Sequence, residues 1–182
     1  MAPTVKTKKE TARCGVSGRQ GFTLLETMFA ILIVSVGILG IHNGMSFAIK
    51  NTKIARENFV GTYLAQEGIE IVKNLRDYNW VNDNSDPLGP NRWTIGLESC
   101  NLGCQADYTS TQLDPFSGDI LKLKSNGLYG YSSDPADLET IYRRKITIVP
   151  ASDHELDITV DVFWGDTTTT VKENIYNWYM PS

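Results

Sequence analysis

The longest uncharged stretch of the chain lies between Glu26 and Lys50. Its 23 residues, 27–49, are mostly apolar and carry no formal charge. As an α-helix with a rise of about 1.5 Å per residue, the stretch extends about 35 Å, enough to cross a hydrocarbon core of about 30 Å. The pattern therefore predicts one membrane-spanning helix near the amino terminus.

Polar residues follow from Lys50 without a helix breaker, which predicts that the helix continues to Arg76 or Asp77. In this second half, small and apolar residues recur at spacings of three and four, the period of an amphipathic helix that packs on a sheet. They are Gly61, Leu64, Ala65, Gly68, Val72 and Leu75. Because Gly61 and Gly68 weaken a helix, we expect another backbone to lie close to each of them.

The polar side of the same half carries opposite charges about one turn apart. Lys53 and Glu57 are spaced i,i+4, and Glu70 and Lys73 are spaced i,i+3. Neighbours of this kind on a helix surface stabilise it by about 0.2–0.5 kcal/mol per pair. Residues 50–77 are therefore expected to form the water-exposed, amphipathic half of the helix.

The remaining chain, residues 78–182, has the pattern of turns and strands. Residues 82–91 are dense in Asn, Asp, Pro and Gly, which predicts the end of the helix. Later segments alternate apolar and polar residues or are rich in residues that favour strands. These segments are 119–125, 127–131, 140–149, 155–164 and 167–179.

The fourth segment shows the alternation most clearly. Leu156, Ile158, Val160 and Val162 share one face, while Asp157, Thr159 and Asp161 share the other. One face is therefore expected to be buried and the other to face water. Gly165 and Asp166 predict a turn into the last strand. The expected fold class is α+β, with a long N-terminal helix packed on a C-terminal antiparallel meander.

Charge divides the chain in a way that its composition does not show. The 182 residues are 41% apolar, which suits one modest core, and their net charge is −4. The first 21 residues carry five basic residues against Glu10, a net of +4, so the rest of the chain carries −8. Positive residues before a spanning helix favour the cytoplasmic side, which places the acidic body outside. The acidic body also argues against a nucleic-acid binder.

A cleaved secretory signal is one alternative for the apolar run, and a plain single-pass anchor is another. Ser46, Phe47 and Ala48 offer a small-x-small cleavage site at the end of the run. Two features count against the signal: the run is long for a signal core, and Glu26 lies within the segment. The simplest interpretation of Glu26 itself is a residue at the level of the lipid headgroups, whose side chain snorkels from the start of the helix.

The residues around Glu26 carry a resemblance. The stretch GFTLLE, residues 21–26, follows a basic leader and precedes the spanning run. It resembles the cleavage and methylation motif of type IV prepilins, and SVGILG, residues 35–40, is similar to minor pilins called type IV pilus modification proteins. The close resemblance covers residues 20–44, and beyond them only the architecture is similar.

The resemblance implies a processing pathway. A prepilin peptidase would remove residues 1–21 by cutting between Gly21 and Phe22, and would methylate the new amino group of Phe22. Glu26 would then pair with such an amine on a neighbouring subunit, because an unpaired charge in lipid is costly. Residues 22–49 would serve as both membrane span and assembly helix. Other pilins and an inner-membrane assembly platform are the implied partners.

Small residues in the span favour close helix packing. Gly37, Gly40 and Gly44 recur at spacings of three and four, and the last two form a small-xxx-small pattern. Many pilins have a proline here that marks a locally melted segment, whereas this chain has none between Phe22 and Pro87. Whether residues 37–44 remain helical stays open, and His42 is interpreted as an interfacial residue.

The cysteines bear on the compartment. Cys14 lies in the predicted leader and would be removed with it, which leaves Cys100 and Cys104 in the stretch CNLGC. In a region that is expected to be exported, these two can close a small disulfide loop. Free thiols and a metal site are the other interpretations, although two thiols without a nearby histidine are few ligands for a metal.

Sequence motifs for enzymes are absent from the chain. It has no phosphate-cradling loop, nucleophile elbow, dinucleotide fingerprint or zinc-protease motif. Acidic and histidine residues at 153–157 fit a solvated loop, and 83–86 and 132–137 lack a complete calcium-ligand pattern. Half or more of five aromatic residues are expected in the core or at a sheet edge instead of on an adhesive surface: Trp93, Tyr129, Tyr131, Trp178 and Tyr179. We predict no catalytic residue, cofactor or metal.

Three functions fit these patterns. The first is a minor pilin that is held in the cytoplasmic membrane with its head, residues 78–182, outside. It is then assembled into a surface pilus. A type II secretion pseudopilin, which is processed identically but works in the periplasm, is the closest alternative. A membrane-anchored surface binding protein, in which GFTLLE is coincidental, comes from another class.

Overall fold

The computed structural model describes residues 21–82, 92–131 and 134–177. Helix α1 spans Leu24–Asn82, and two short 3₁₀ helices follow at Arg92–Thr94 and Glu98–Cys100. The strands within the described residues are β1 (Cys104–Gln105), β2 (Asp114–Pro115), β3 (Lys122–Leu123), β4 (Tyr129–Gly130), β5 (Leu138–Glu139), β6 (Arg143–Ser152), β7 (Glu155–Trp164) and β8 (Thr167–Tyr176). The chain forms two compact units, Met1–Ile49 and Lys50–Ser182, which are described separately.

The described part of the first unit is almost entirely the start of α1. Every residue from 21 to 49 is exposed, and the helix is unbroken through Gly37, Gly40 and Gly44. An 18-residue window in α1 has a mean hydropathy of 2.3, and none of it is buried. The helix is therefore long and apolar enough to cross a membrane, as predicted.

In the second unit, the predicted stripe of α1 is its buried face. Leu64, Ala65 and Val72 are fully buried, and Gly61, Gly68 and Leu75 are also buried. The salt bridges Lys53–Glu57 and Glu70–Lys73 are present at 3.8 and 3.1 Å. The stripe and both pairs are therefore confirmed.

Helix α1 extends five or six residues beyond the predicted end near Arg76 or Asp77, to Asn82 at the start of the turn-rich segment 82–91. Asn79 donates a side-chain hydrogen bond to the carbonyl of Ile95 at 2.8 Å, and the half-buried Trp80 packs on the core. These long-range contacts hold a last helical turn that local residue preferences do not indicate.

The main sheet has five strands in the order β2-β1-β6-β7-β8, with antiparallel pairing throughout. Alternate residues of β7 are buried: the four apolar residues from Leu156 to Val162 that the sequence placed on one face, and Trp164. Residues 165–166 form the turn into β8, and Gly165 adopts a φ of +52° there. The meander β6-β7-β8 and the face of β7 are confirmed.

The rest of the head differs from a single meander. A second sheet has three strands in the order β4-β3-β5, and β1 and β2 extend the main sheet beyond β6. The sequence did not predict β1, β2 or β5, because two-residue strands are too short to show an alternation. The predicted strands 119–125 and 127–131 shrink to β3 and β4 for the same reason.

Gly61 and Gly68 of α1 lie against side chains of the sheet instead of against another backbone. A Cβ on Gly61 would lie 2.4 Å from the ring of Trp164, and one on Gly68 would lie 2.9 Å from Val160. The expectation of a close backbone is therefore wrong. The glycines leave room for large side chains from β7, so that α1 can approach the sheet.

A buried arginine joins the helix to the sheet. Arg144 of β6 is completely buried and donates hydrogen bonds to the carbonyls of Leu64 at 3.0 Å and Ala106 at 2.6 Å. Glu67 lies 3.6 Å from its guanidinium. Since a buried charge needs such partners, this cluster fixes the position of α1 over β6.

Candidate processing and assembly site

The first turn of α1 is capped by a side chain. The amide of Glu26 donates to Oγ1 of Thr23 at 3.2 Å, and α1 begins at the next residue, Leu24. Thr23 and Glu26 have the Thr-x-x-Glu spacing of a capping box, in which the cap satisfies an amide that has no partner within the helix. Thr23 therefore determines where the helix begins.

This cap leaves the Gly21–Phe22 peptide bond outside the helix. Gly21 and Phe22 have no regular secondary structure, and the side chain of Phe22 is 77% exposed. Apart from its chain neighbours, no described residue has a heavy atom within 4 Å of the position that a Cβ on Gly21 would take. The Gly21–Phe22 peptide bond is thus exposed and non-helical, directly before the helix.

Glu26 lies in the first turn of α1, where an acidic side chain interacts favourably with the positive end of the helix dipole. Its side chain is exposed, and no described residue forms an ion pair with it. The helix end thus provides a local reason for this carboxylate, in addition to its expected role between subunits. The Thr-x-x-Glu pattern could have indicated that local role from the sequence.

From residue 27 to residue 49, the surface of the helix is uncharged and mostly apolar on all sides. Large apolar side chains of residues 24–49 are 57–78% exposed, a far larger patch than monomeric soluble proteins leave uncovered. The hydroxyls of Ser35 and Ser46 donate to the carbonyls of Ile31 and His42 at 2.7 and 3.0 Å. Their polar groups are satisfied within the helix, which suits lipid or a neighbouring apolar helix.

Comparison with protein families identifies this segment. Residues 16–41 match the family model described as the prokaryotic N-terminal methylation motif. Over these residues the chain therefore carries an N-terminal methylation motif, as type IV prepilins do. No match was found among curated proteins or among solved structures.

The match includes most of the residues that the sequence singled out in the prepilin-like segment. Gly21, Phe22 and Glu26 lie within it, together with Gly37 and Gly40, whereas Gly44 lies just beyond it. The structure brings the first three together around the start of α1. A Cβ added to Gly37, Gly40 or Gly44 would have no described heavy atom of another element within 4 Å. In the single chain, the helix surface at these three glycines is therefore open.

In the head, Cys100 and Cys104 form a disulfide with Cα atoms 5.3 Å apart. Both residues are buried, and Gly103 between them has a φ of +110°, which favours glycine. The structure thus contains the disulfide rather than free thiols or a metal-thiolate site. Cys14 lies outside the described residues.

The other candidate residues do not form a site. Residues 153–154 form the exposed β6–β7 turn, and Glu155 accepts a hydrogen bond from Asn174 at 2.7 Å. Within the described parts of the chain, no group of three or more His, Cys, Asp or Glu residues could hold a metal ion. Residues 83–86 and 132–133 are outside the described ranges.

The aromatic residues divide as the sequence suggested, as far as they are described. Trp93 is fully buried, and Tyr129 and Tyr131 are half-buried against the core. Burial raises the pKa of Tyr131 to about 12. Trp178 and Tyr179 lie outside the described residues.

Asp107 organises a loop beside the core. Its carboxylate accepts hydrogen bonds from the amide and hydroxyl of Thr109 at 2.9 and 2.6 Å, from Ser110 at 3.2 Å and from the amide of Tyr131 at 2.9 Å. Burial raises the pKa of Asp107, but these hydrogen bonds lower it more, so that the net pKa lies below its ordinary value. Burial raises the pKa of the nearby Glu67 despite Arg144.

Proposed function

We propose that this prepilin-like protein is a minor pilin, a non-catalytic subunit of a surface filament. The match of residues 16–41 to the methylation motif carries the proposal. The uncovered apolar helix that follows supports it, because such a surface needs lipid before assembly and neighbouring helices afterwards.

Processing comes first in this proposal. A prepilin peptidase hydrolyses the Gly21–Phe22 bond, which removes residues 1–21 and leaves the α-amino group of Phe22 to be methylated. The exposed, non-helical backbone at this bond supports the assignment of the cleavage site. The basic leader stays in the cytoplasm, and the acidic head, residues 78–182, lies outside.

Assembly follows from the helix that remains. Residues 22–49 leave the membrane for the filament, with help from an inner-membrane assembly platform, and residues 50–77 support the head. In a lipid-like environment, Glu26 and the amine of Phe22 from a neighbouring subunit relieve each other's uncompensated charge. Gly37, Gly40 and Gly44 let adjacent helix backbones approach.

The amino terminus of the mature protein tests this function. Intact mass and N-terminal sequencing are measured on protein from cells with and without prepilin peptidase. We expect a methylated Phe22 in the first case and an intact leader in the second. A mature start elsewhere, such as after Ala48, would show a secretory signal, and an uncut chain in both strains would show a plain membrane-anchored binding protein.

Localisation separates a minor pilin from a type II secretion pseudopilin, which shares the same processing. Antibody against the head should label surface filaments on intact cells. Labelling that requires a permeabilised outer membrane would instead assign the chain to a periplasmic pseudopilus.

A further inference from the structure

Strand β8 forms a long, open edge of the main sheet. It has ten residues, Thr167–Tyr176, and pairs with β7 on one side only. No described residue donates or accepts a backbone hydrogen bond on the other side. Most natural sheets shorten, bend or cover such an edge, because its free amides and carbonyls form a template for another strand.

The register of the hairpin shows which backbone groups face outward. Trp164 pairs with Thr167 across a two-residue turn, and the pairing continues without a bulge to Glu155 and Tyr176. In an antiparallel ladder, alternate residues exchange hydrogen bonds with the partner, starting from the pair that closes a two-residue turn. The outward groups therefore belong to Thr168, Thr170, Lys172, Asn174 and Tyr176.

A groove runs beside this edge on the face of the sheet that α1 covers. It has a volume of about 570 Å³ and lies between α1 and β8. The half-buried Val171 gives it an apolar surface, and Tyr63, which is 56% exposed, forms part of its wall. Ile69 also lines the groove but is almost fully buried. A strand added to β8 would place every second side chain over this groove.

The charges of the groove indicate one further feature of its occupant. Glu67, Glu70 and Glu173 line it. Lys73 lies 3.1 Å from Glu70 and 2.7 Å from Glu173, and Arg144 lies 3.6 Å from Glu67. Three carboxylates against two cations leave one negative charge, which one basic side chain would balance.

A second copy of this chain fits the edge poorly. Two copies could continue the sheet by pairing their β8 strands antiparallel around a two-fold axis. This axis is perpendicular to the sheet and turns one copy by 180° in its plane. The α1 helices of the two copies would then run in opposite directions. Subunits anchored in one membrane share one direction, a step that relies on the proposed function. The opposite edge, β2, has two residues, and Pro115 has no amide to donate.

We propose that β8 and the groove beside it bind an extended segment of another protein by adding it to the sheet as a sixth strand. The segment has apolar residues at alternate positions facing the part of the groove lined by Tyr63 and Val171, and one Lys or Arg facing Glu70 and Glu173. Backbone hydrogen bonds provide most of the affinity, and the groove provides the selectivity.

A synthetic peptide tests this proposal on the full chain in detergent micelles. The probe is a capped eight-residue peptide of alternating valine and threonine, with one lysine in place of a valine. A matched peptide carries N-methyl groups on alternate amides, which keeps its side chains but removes its donors. Fluorescence anisotropy gives the affinity, and hydrogen exchange reports on the amides of β8. We expect the unmethylated peptide alone to slow the exchange of the outward amides.

Two substitutions at one position supply the variant and its control. Lys172→Pro removes an outward amide and should weaken the unmethylated peptide by about tenfold. Proline is tolerated there because the ladder to β7 does not use that amide, and circular dichroism checks the fold. Lys172→Thr loses the same side chain but keeps the amide, and should bind like the natural protein. Glu70→Gln should weaken the binding of the lysine-containing peptide by about threefold. It should not weaken the binding of the same peptide with valine in place of the lysine.

Several results would overturn the proposal. They are the absence of protection with any peptide, equal binding of the methylated peptide, and equal binding to Lys172→Pro. Slow exchange of the outward amides without peptide would show an edge that is already covered, and concentration-dependent dimers with the same protection would assign it to a second copy. The state of the amino terminus is measured separately, so failure here leaves the proposed processing intact.

Discussion

At the scale of single residues, Glu26 combines a local role with a proposed intermolecular one. Its amide bonds to Thr23, and its carboxylate lies at the positive end of α1. In an isolated chain in water, the exposed carboxylate stays solvated, so its interaction with the helix end requires no desolvation energy. The proposed pairing with an amine matters only once the helix is surrounded by lipid or other helices.

Substitution of Glu26 separates these roles. Glu26→Ala should leave cleavage intact, because the Thr23 cap and the open Gly21–Phe22 bond do not need the carboxylate. Filament incorporation should fall at least about tenfold, because the neighbour's amine loses its partner in a lipid-like environment. Quantitative blotting of sheared filaments and of the membrane pool measures both.

Thr27→Ala is the matched control, since it removes an exposed polar side chain from the same turn. We expect it to be incorporated normally. Normal incorporation of Glu26→Ala would contradict the pairing, whereas a loss of its cleavage would give Glu26 a role in recognition by the peptidase.

Asp107 predicts a pH dependence of stability. Because its folded pKa lies below its unfolded value near 4, ionised Asp107 stabilises the head fully above that value. This contribution is lost as the pH falls through the lower, folded pKa. Asp107→Asn should therefore lower the free energy of unfolding by about 2 kcal/mol at pH 7, and the difference should shrink below about pH 4.

Urea unfolding of the full chain in micelles, followed by tryptophan fluorescence, measures this difference at each pH. Asp166→Asn, in the exposed β7–β8 turn, controls for the loss of one negative charge. A difference for Asp107→Asn that stays constant from pH 7 to pH 3 would contradict the assignment of the hydrogen-bonded carboxylate.

At the scale of elements, α1 is one helix in two environments. Residues 24–49 are exposed on all sides, whereas from Gly61 to Leu75 one stripe is buried on the sheet. The uncharged run and the spacing of three and four predicted both halves. They did not predict that the helix continues past Asp77, because Asn79 and Trp80 are held by residues distant in sequence.

The glycines of the two halves should therefore respond differently to alanine. At Gly61, the new Cβ would meet the ring of Trp164, whereas at Gly40 it would meet nothing within 4 Å. Gly61→Ala should lower the free energy of unfolding of the head by about 1–2 kcal/mol, the overpacking cost less the gain in helix propensity.

Gly40→Ala is its control and should leave the unfolding of the head unchanged in micelles. If Gly40 contacts neighbouring helices, the same variant should reduce filament yield. Equal unfolding of Gly61→Ala and the natural protein would show that Trp164 can move away without cost.

At the scale of the whole molecule, the division of charge predicts orientation. The basic leader carries +4, and the chain after it carries −8. In spheroplasts of a strain without prepilin peptidase, added protease should digest the head while the leader stays protected, because positive flanks remain in the cytoplasm. Epitope tags at each end, read by blotting, report the two sides.

Replacing the five basic leader residues with Gln is the matched variant: Lys6, Lys8, Lys9, Arg13 and Arg19. It should raise the fraction of protected heads. Heads that are protected in the natural protein would contradict the orientation, and a cytoplasmic marker checks that the spheroplasts are intact.

The sequence by itself determined the features that depend on local order. An uncharged run long enough to span lipid, the GFTLLE motif before it and the alternation along β7 each involve residues close in the chain. Such patterns can be recognised without knowing how the rest of the chain folds. They were sufficient for the α+β class, and they predict processing between Gly21 and Phe22 and charge pairing by Glu26.

Only the tertiary structure decided the features that depend on distant residues. The burial of Arg144 between the carbonyls of Leu64 and Ala106, the second sheet and the fit of Gly61 to Trp164 all join segments far apart in sequence. Two-residue strands are too short to show an alternation of apolar and polar residues. The identity of a residue as arginine does not indicate whether it is buried or exposed. Their positions follow from packing and hydrogen-bond satisfaction across the whole head, which no local pattern records.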